Sequence, residues 1–243
     1  RETSIMKTTP PRPSNAEPAR LTRPEPAPRR RRHLARALAG LAAVAVGGLA
    51  VAVLFAAGGP FRQTPAAAQA TGVEVGQTAP DFTLRDQDGQ RHRLQSLRGK
   101  IVVLEWTNPQ CPFVKRHYDA DTMTDLAAAL PGDQVVWMAI DSSNFITPAA
   151  SRRWRAAESI PYPILQDPSG EVGRRYGART TPHMFVIDGQ GKVRYAGAID
   201  DDAYGRDDDP DNHVADAVRA LLAGRAPNPS STTPYGCSVK YAD

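Results

Sequence analysis

Two cysteines, Cys111 and Cys237, are all that the 243 residues contain, and 125 residues separate them. A local Cys-x-x-Cys dithiol is therefore excluded. No Cys-x-x-x-Cys spacing exists either, so a copper site made of Cys111, His117 and Cys237 has no support in the spacing. The acidic stretch Asp200-Asp201-Asp202, Asp207-Asp208-Asp209 and Asp211 lacks the spaced oxygen ligands of an EF-hand. It reads as a solvated loop that caps the last helix. No metal or cofactor is implied, and no internal repeat is present. Excess positive charge is missing from most of the chain. Residues 1–70 hold 11 basic and 3 acidic residues, a net of +8, whereas residues 71–243 hold 19 and 23, a net of −4. No nucleic-acid partner is expected, because the part able to fold around a phosphate backbone is mildly acidic.

What is present begins with a leader. Residues 1–36 are rich in Pro, Ala and Arg without apolar periodicity, and read as a disordered basic segment that ends near Arg29-Arg30-Arg31-Arg32 and Arg36. Residues 37–57 carry no charge. A stretch of that length can span ~30 Å of hydrocarbon at ~1.5 Å per residue. Residues 58–72 read as a linker in which Ala68 and Ala70 offer a cleavage site after Ala70. The segment is a signal peptide or an uncleaved membrane anchor, and both readings put the rest of the chain outside the cytoplasm, periplasmic or at the cell surface. A buried Ala-rich helix is the alternative without export.

Residues 73–224 read as one α/β domain. Asp81–Leu84 is a short strand before the Asp88-Gly89 turn. Ile101–Trp106 and Val135–Ile140 are apolar runs typical of strands buried on both faces. A helix is expected from Pro112 towards Leu130, then helices over Pro148–Glu158 and Gly170–Tyr176. Met184–Asp188 and Val193–Ala198 form a hairpin, followed by the helix His213–Leu222 that ends at Gly224. Residues 225–243 read as a loose tail carrying Cys237. This order predicts a central mixed sheet between helices, with extra N-terminal strands.

Cys111 follows a buried strand and opens a helix, with Pro112 suited to the first turn. A thiol there faces unpaired N–H groups and the positive end of the helix dipole, and both favour thiolate. Thr181-Pro182 precedes the strand Met184–Asp188, and X-Pro is the common cis peptide. Glu105 lies six residues before Cys111. Together with Val75-Gly-Gln-Thr-Ala-Pro-Asp-Phe-Thr-Leu84, these features resemble the redoxin group, which includes alkyl-hydroperoxide-reductase-like proteins and membrane-tethered thioredoxins. Cys111-Pro-Phe-Val114 and Gly236-Cys-Ser-Val-Lys-Tyr241 are similar to an exported branch of that group.

The resemblance covers about residues 73–241 and implies a thioredoxin-like fold. It implies a catalytic Cys111, a cis Pro182 facing it, and Glu105 as a proton relay. Trp106, Pro112, Thr181 and Pro182 would then line the substrate site, although Trp106 suits core packing better. Two departures matter. Val114 stands where thioredoxins place their second cysteine, and Asn108 stands where peroxiredoxins carry Thr or Ser. Pro182 also occupies the position at which peroxiredoxins place an arginine, with Arg179 three residues earlier. The reading is a thiol–disulfide oxidoreductase acting on protein or small-molecule thiols and disulfides. A thiol peroxidase acting on peroxides is one alternative. A non-catalytic scaffold with a Cys111–Cys237 structural disulfide is another. Cys237 is expected to resolve or cap Cys111. His117 is expected at the surface, because it points away from Cys111 on a shared helix.

Overall fold

The middle of the fold is set by β3 (Ile101–Trp106), whose six residues are all buried. Its β-branched and leucine side chains suit a strand covered on both faces. The computed structural model describes residues 72–242. The basic leader, the apolar segment 37–57 and the cleavage site after Ala70 lie outside the described residues. Among the described residues, no helix is long and apolar enough to cross a membrane.

β3 pairs in parallel with β4 (Val135–Asp141), which pairs in parallel with β5 (Ile164–Gln166). On its other side β3 runs antiparallel to β7 (His183–Ile187), and β7 to β8 (Val193–Gly197). The N-terminal hairpin of β1 (Thr83–Asp86) and β2 (Arg91–Arg93) extends the sheet through an antiparallel β1–β5 contact. The order β2-β1-β5-β4-β3-β7-β8 is the expected mixed, thioredoxin-like sheet with an N-terminal extension.

Alternation along β3 divides the core into two layers. Val103 packs with Val114 and Tyr118 of α1 (Pro112–Asp119), Met123 of α2 (Thr122–Ala129) and Val218 of α5 (His213–Leu222). Val102, Leu104 and Trp106 pack on the opposite side with Phe82, Phe185 and Tyr176 of α4 (Glu171–Tyr176). Helix α3 (Pro148–Ala157) begins at Thr147, whose side chain accepts from the Ala150 N–H.

Two expectations are corrected. The helix after Cys111 is two helices, because Asp121 adopts φ 54° and turns the chain before Thr122. Aspartate is one of the few side chains that enter this conformation at low cost, and the turn brings Met123 to full burial. The tail is not loose. Thr232 accepts from the Ala198 N–H, and its N–H donates to Ala196 O at 3.2 Å. Further on, β9 (Cys237–Ser238) pairs antiparallel with β6 (Thr180–Thr181).

Leu104 is fully buried on β3. Leu104→Ala is expected to lower unfolding free energy by about 2–5 kcal/mol, measured by urea denaturation of residues 72–243.

Candidate active site

The C-terminal end of β3 feeds Thr107-Asn108-Pro109-Gln110 and then Cys111, the residue preceding α1. This loop is held by its own side chain: Asn108 Oδ1 accepts from the Gln110 N–H at 2.7 Å, and Asn108 Nδ2 donates to Ser143 Oγ at 3.0 Å. The Cys111 N–H donates to Asn108 O at 3.0 Å. The thiol is 2% exposed and lies 3.0 Å from the carbonyl oxygen of Thr181, to which it donates. Pro112 occupies the first helical turn, and the Thr181–Pro182 peptide is cis. Cys111, Pro112, Thr181 and Pro182 are thus brought together from elements 70 residues apart.

Cys237 comes to the same place. The register pairs it with Thr181, and Gly236 crosses directly over the Thr181 carbonyl. A Cβ on Gly236 would fall 2.0 Å from that oxygen, and its φ of 132° is one that L side chains rarely adopt. Both cysteines are free thiols. They are also electrostatically unlike. Burial opposes ionisation of Cys111, but hydrogen bonds from the Cys237 thiol and the Val114 and Cys237 backbones, together with the adjacent Thr181 side chain, outweigh it, so its pKa falls. The buried Thr181 hydroxyl makes no hydrogen bond of its own among the described residues. Burial and the neighbouring Cys111 sulfur push Cys237 up to about 11, against a small lowering by Lys240. Cys111 ionises first and Cys237 keeps its proton.

The tail that presents Cys237 is fastened on both sides. Upstream, Tyr235 donates to Asp200 and lies 2.9 Å from His117 Nε2 and 3.3 Å from an Arg116 nitrogen. Downstream, the Val239 N–H donates to Arg179 O and the Asn144 N–H donates to Lys240 O. Tyr241 donates to Ala178 O at 2.7 Å, and its ring lies against Gly173 and Gly170, where a Cβ would meet it at 2.5 and 2.4 Å. The Arg174 guanidinium covers that ring at 4.8 Å from its centroid.

His117 is therefore not a surface residue. It is fully buried, because positions 114, 117 and 118 form the inward face of α1 and Tyr235 covers the end of that face. Burial, then the Arg116 charge, holds it down to about 3 against the pull of Asp202, so the ring is neutral. Asp200 leaves the solvated acidic loop and is 2% exposed, its pKa raised by burial. The helix that follows is capped by Asn212, whose side chain accepts from the Ala215 N–H. Among the described residues, no group of three His, Cys, Asp or Glu could hold a metal ion.

Glu105 is fully buried on the Cys111 side of β3. Its carboxylate accepts from Tyr118 at 3.0 and 3.1 Å, from Tyr162 at 3.2 Å and from Trp137 at 3.2 Å. It makes no hydrogen bond to Cys111. Burial raises its pKa although these donors pull the other way. Trp106 lies in the opposite core layer, fully buried, with its indole N–H on Ser142 Oγ at 3.1 Å. Its side chain thus faces away from Cys111, and the structure does not bring the two together. The polar residues missed by sequence reasoning are Asn144, Tyr235, Lys240 and Tyr241. The Tyr-Gly-Cys and Lys-Tyr pattern around Cys237 was the signal for Tyr235, Lys240 and Tyr241, and nothing in the sequence marked Asn144.

A model of the AhpC/TSA family matches residues 75–196. The chain is 33% identical over 125 residues to thiol-disulfide oxidoreductase ResA of Geobacillus thermodenitrificans, covering 51% of this chain and 69% of that protein. It is 30% identical over 132 residues to alkyl hydroperoxide reductase E of Mycobacterium bovis, covering 51% and 84%. Among solved structures, it is similar to a hypothetical protein of Sinorhizobium meliloti 1021, with TM-score 0.65, 26% identity and coverage of 70% and 96%. A conserved protein of Geobacillus kaustophilus gives TM-score 0.64 at 28% identity, with coverage of 70% and 93%.

Two outcomes check this geometry. Gly236→Ala is expected to drive the tail off Thr181 and slow Cys111–Cys237 disulfide formation at least ~10-fold, as lost proximity should, read by quenched alkylation and mass spectrometry. Glu105→Gln tests the buried carboxyl. A raised pKa gives stability that is full below the ordinary value of 4.5 and lost as pH rises through the folded value. Wild-type stability should therefore fall relative to that of Glu105→Gln as pH rises from 4 to 8 in urea titrations.

Proposed function

Because this chain belongs to the AhpC/TSA family, we propose that it is a redoxin-type thiol–disulfide oxidoreductase in which Cys111 attacks and Cys237 resolves. The observation that carries this reading is the unequal pair: a thiol with lowered pKa facing, across one strand pairing, a thiol with raised pKa. The Cys111 thiolate attacks one sulfur of a disulfide R–S–S–R′, forms Cys111–S–S–R and expels R′S⁻. Thiolate rather than thiol is the nucleophile in such exchange.

The same step prepares the next one. Part of the upward shift on Cys237 comes from the Cys111 sulfur, its hydrogen bond and its charge. Once Cys111 is in the mixed disulfide that charge is gone, so Cys237 loses its proton more readily. It then attacks the Cys111 sulfur and expels RS⁻, leaving a Cys111–Cys237 disulfide. The protein has been oxidised by two electrons, and the substrate has become two thiols. Glu105 enters the proposal as a buried proton acceptor beneath the site, linked to α1 through Tyr118. An uncleaved or cleaved leader would place this chemistry outside the cytoplasmic membrane, which rests on the basic cluster and residues 37–57.

Peroxide reduction has less behind it. Asn108, at the position of interest for a peroxidatic cysteine, spends its amide on Ser143 and Gln110, and no arginine lines the pocket at Cys111 among the described residues.

The proposal is tested by oxidising the reduced protein with one equivalent of a disulfide and mapping its peptides. A Cys111–Cys237 linked peptide is expected, and in Cys237→Ser a mixed disulfide at Cys111 should accumulate instead. Two thiols still free after incubation with the disulfide, with no linked peptide, would overturn it.

A further inference from the structure

An extended peptide binds an α/β protein by adding a strand to a free sheet edge. The backbone edge beside Cys111 is β6, and it is already occupied. Thr180 pairs with Ser238 and Thr181 with Cys237. The occupying strand is fixed at both ends by Tyr235 on Asp200 and Tyr241 on Ala178. A polypeptide disulfide arrives with backbone on either side of its sulfurs and would need about a 4.8 Å strand width along that edge. Cys111 is 2% exposed. The approach left open is a cavity of about 360 Å³ bounded by Asn108, Gln110, Asn144, Phe145 and Lys240, with Cys111 and Cys237 on its wall.

The character of that cavity narrows the choice. Its lining combines three amide side chains, Asn108, Gln110 and Asn144, with two aromatic rings, the exposed Phe145 and the strap residue Tyr241. Lys240 is the one charged side chain among the described lining residues. Its ammonium group lies 3.3 Å from Ser238 Oγ, and its charge favours the anion of Cys237. A thiolate at Cys111 repels an anionic substrate, and Lys240 offsets that charge where the leaving thiolate would emerge.

We propose that the tail restricts Cys111 to low-molecular-weight disulfides bearing carboxylates, and closes the site to disulfides in polypeptides. The inference rests on the oxidoreductase reading above and names its substrate class. The electron balance is the one already given, with R and R′ small carboxylated groups that leave as thiolates through the cavity.

The test uses the reduced full chain and three oxidants: dithiodipropionate, a dianion; cystamine, a dication of similar size; and insulin, a polypeptide disulfide. Stopped-flow or quenched alkylation reads the rate of Cys111 consumption. Dithiodipropionate is expected to outpace insulin by more than about 10-fold, the effect of a modest steric barrier. It should exceed cystamine by about fivefold, the scale of one exposed ion pair, and Lys240→Gln should remove that charge preference. Tyr241→Ala and, separately, Gly173→Ala should loosen the strap and raise the ratio of the insulin rate to the dithiodipropionate rate. Circular dichroism checks that each variant is folded, and the wild-type ratios stand without either variant. Insulin reacting as fast as dithiodipropionate overturns the restriction while leaving the oxidoreductase reading intact. A hydroperoxide that outpaces both small disulfides overturns the oxidoreductase reading itself, in favour of a peroxidase. Failure of every disulfide to give a Cys111–Cys237 link overturns the oxidoreductase reading itself.

Discussion

The site depends on one short backbone pairing, Thr181 with Cys237. It joins the loop before β7 to the end of the chain, and it is what brings two cysteines separated by 125 residues into one microenvironment. Closing so long a loop is entropically costly only in a weak, logarithmic way. The tail meets that cost with side-chain anchors on either side of the pairing. The core supplies the frame: β3 fixes where the loop to Cys111 begins, and β7 fixes where Thr181 sits.

Burial around this pairing divides the labour between the two sulfurs. One thiol receives hydrogen bonds that favour its anion, and the other sits beside that anion and is held protonated. Groups so coupled titrate as a pair, and removing the charge of the first changes the second. A resolving thiol that becomes competent only after the first step follows from this coupling, without any moving part. The fully buried His117 lies against the Tyr235 hydroxyl and so supports the position of the tail.

Much of this was legible in the sequence. The strands Ile101–Trp106 and Val135–Ile140, the hairpin around Gly191 and the helix ending before Gly224 come from local pattern, and local pattern survives folding; the pairing of Cys111 with Thr181–Pro182 came from the family resemblance. The break at Asp121 was not legible, because no glycine or proline marks it. The burial of His117 and Asp200 was not legible either. Each is polar in sequence, and each meets Tyr235 from a distant segment in the fold. The tail reads as Pro- and Ser-rich and unstructured, yet its order comes from tertiary contacts: Tyr241 against Gly173, Thr232 against Tyr195, Tyr235 against Asp200. The family resemblance offered Trp106 to the site beside its core-packing reading, and strand alternation places it in the other layer.

The most direct test of the account is the rate of iodoacetamide alkylation of each cysteine against pH in the reduced protein, resolved by peptide mass spectrometry. The account predicts two separate transitions: Cys111 below the free-cysteine value of ~8.5, and Cys237 well above it. It also predicts that Cys237 shifts down once Cys111 is blocked. Two thiols titrating together near ~8.5, or a Cys237 unaffected by blocking Cys111, would contradict it.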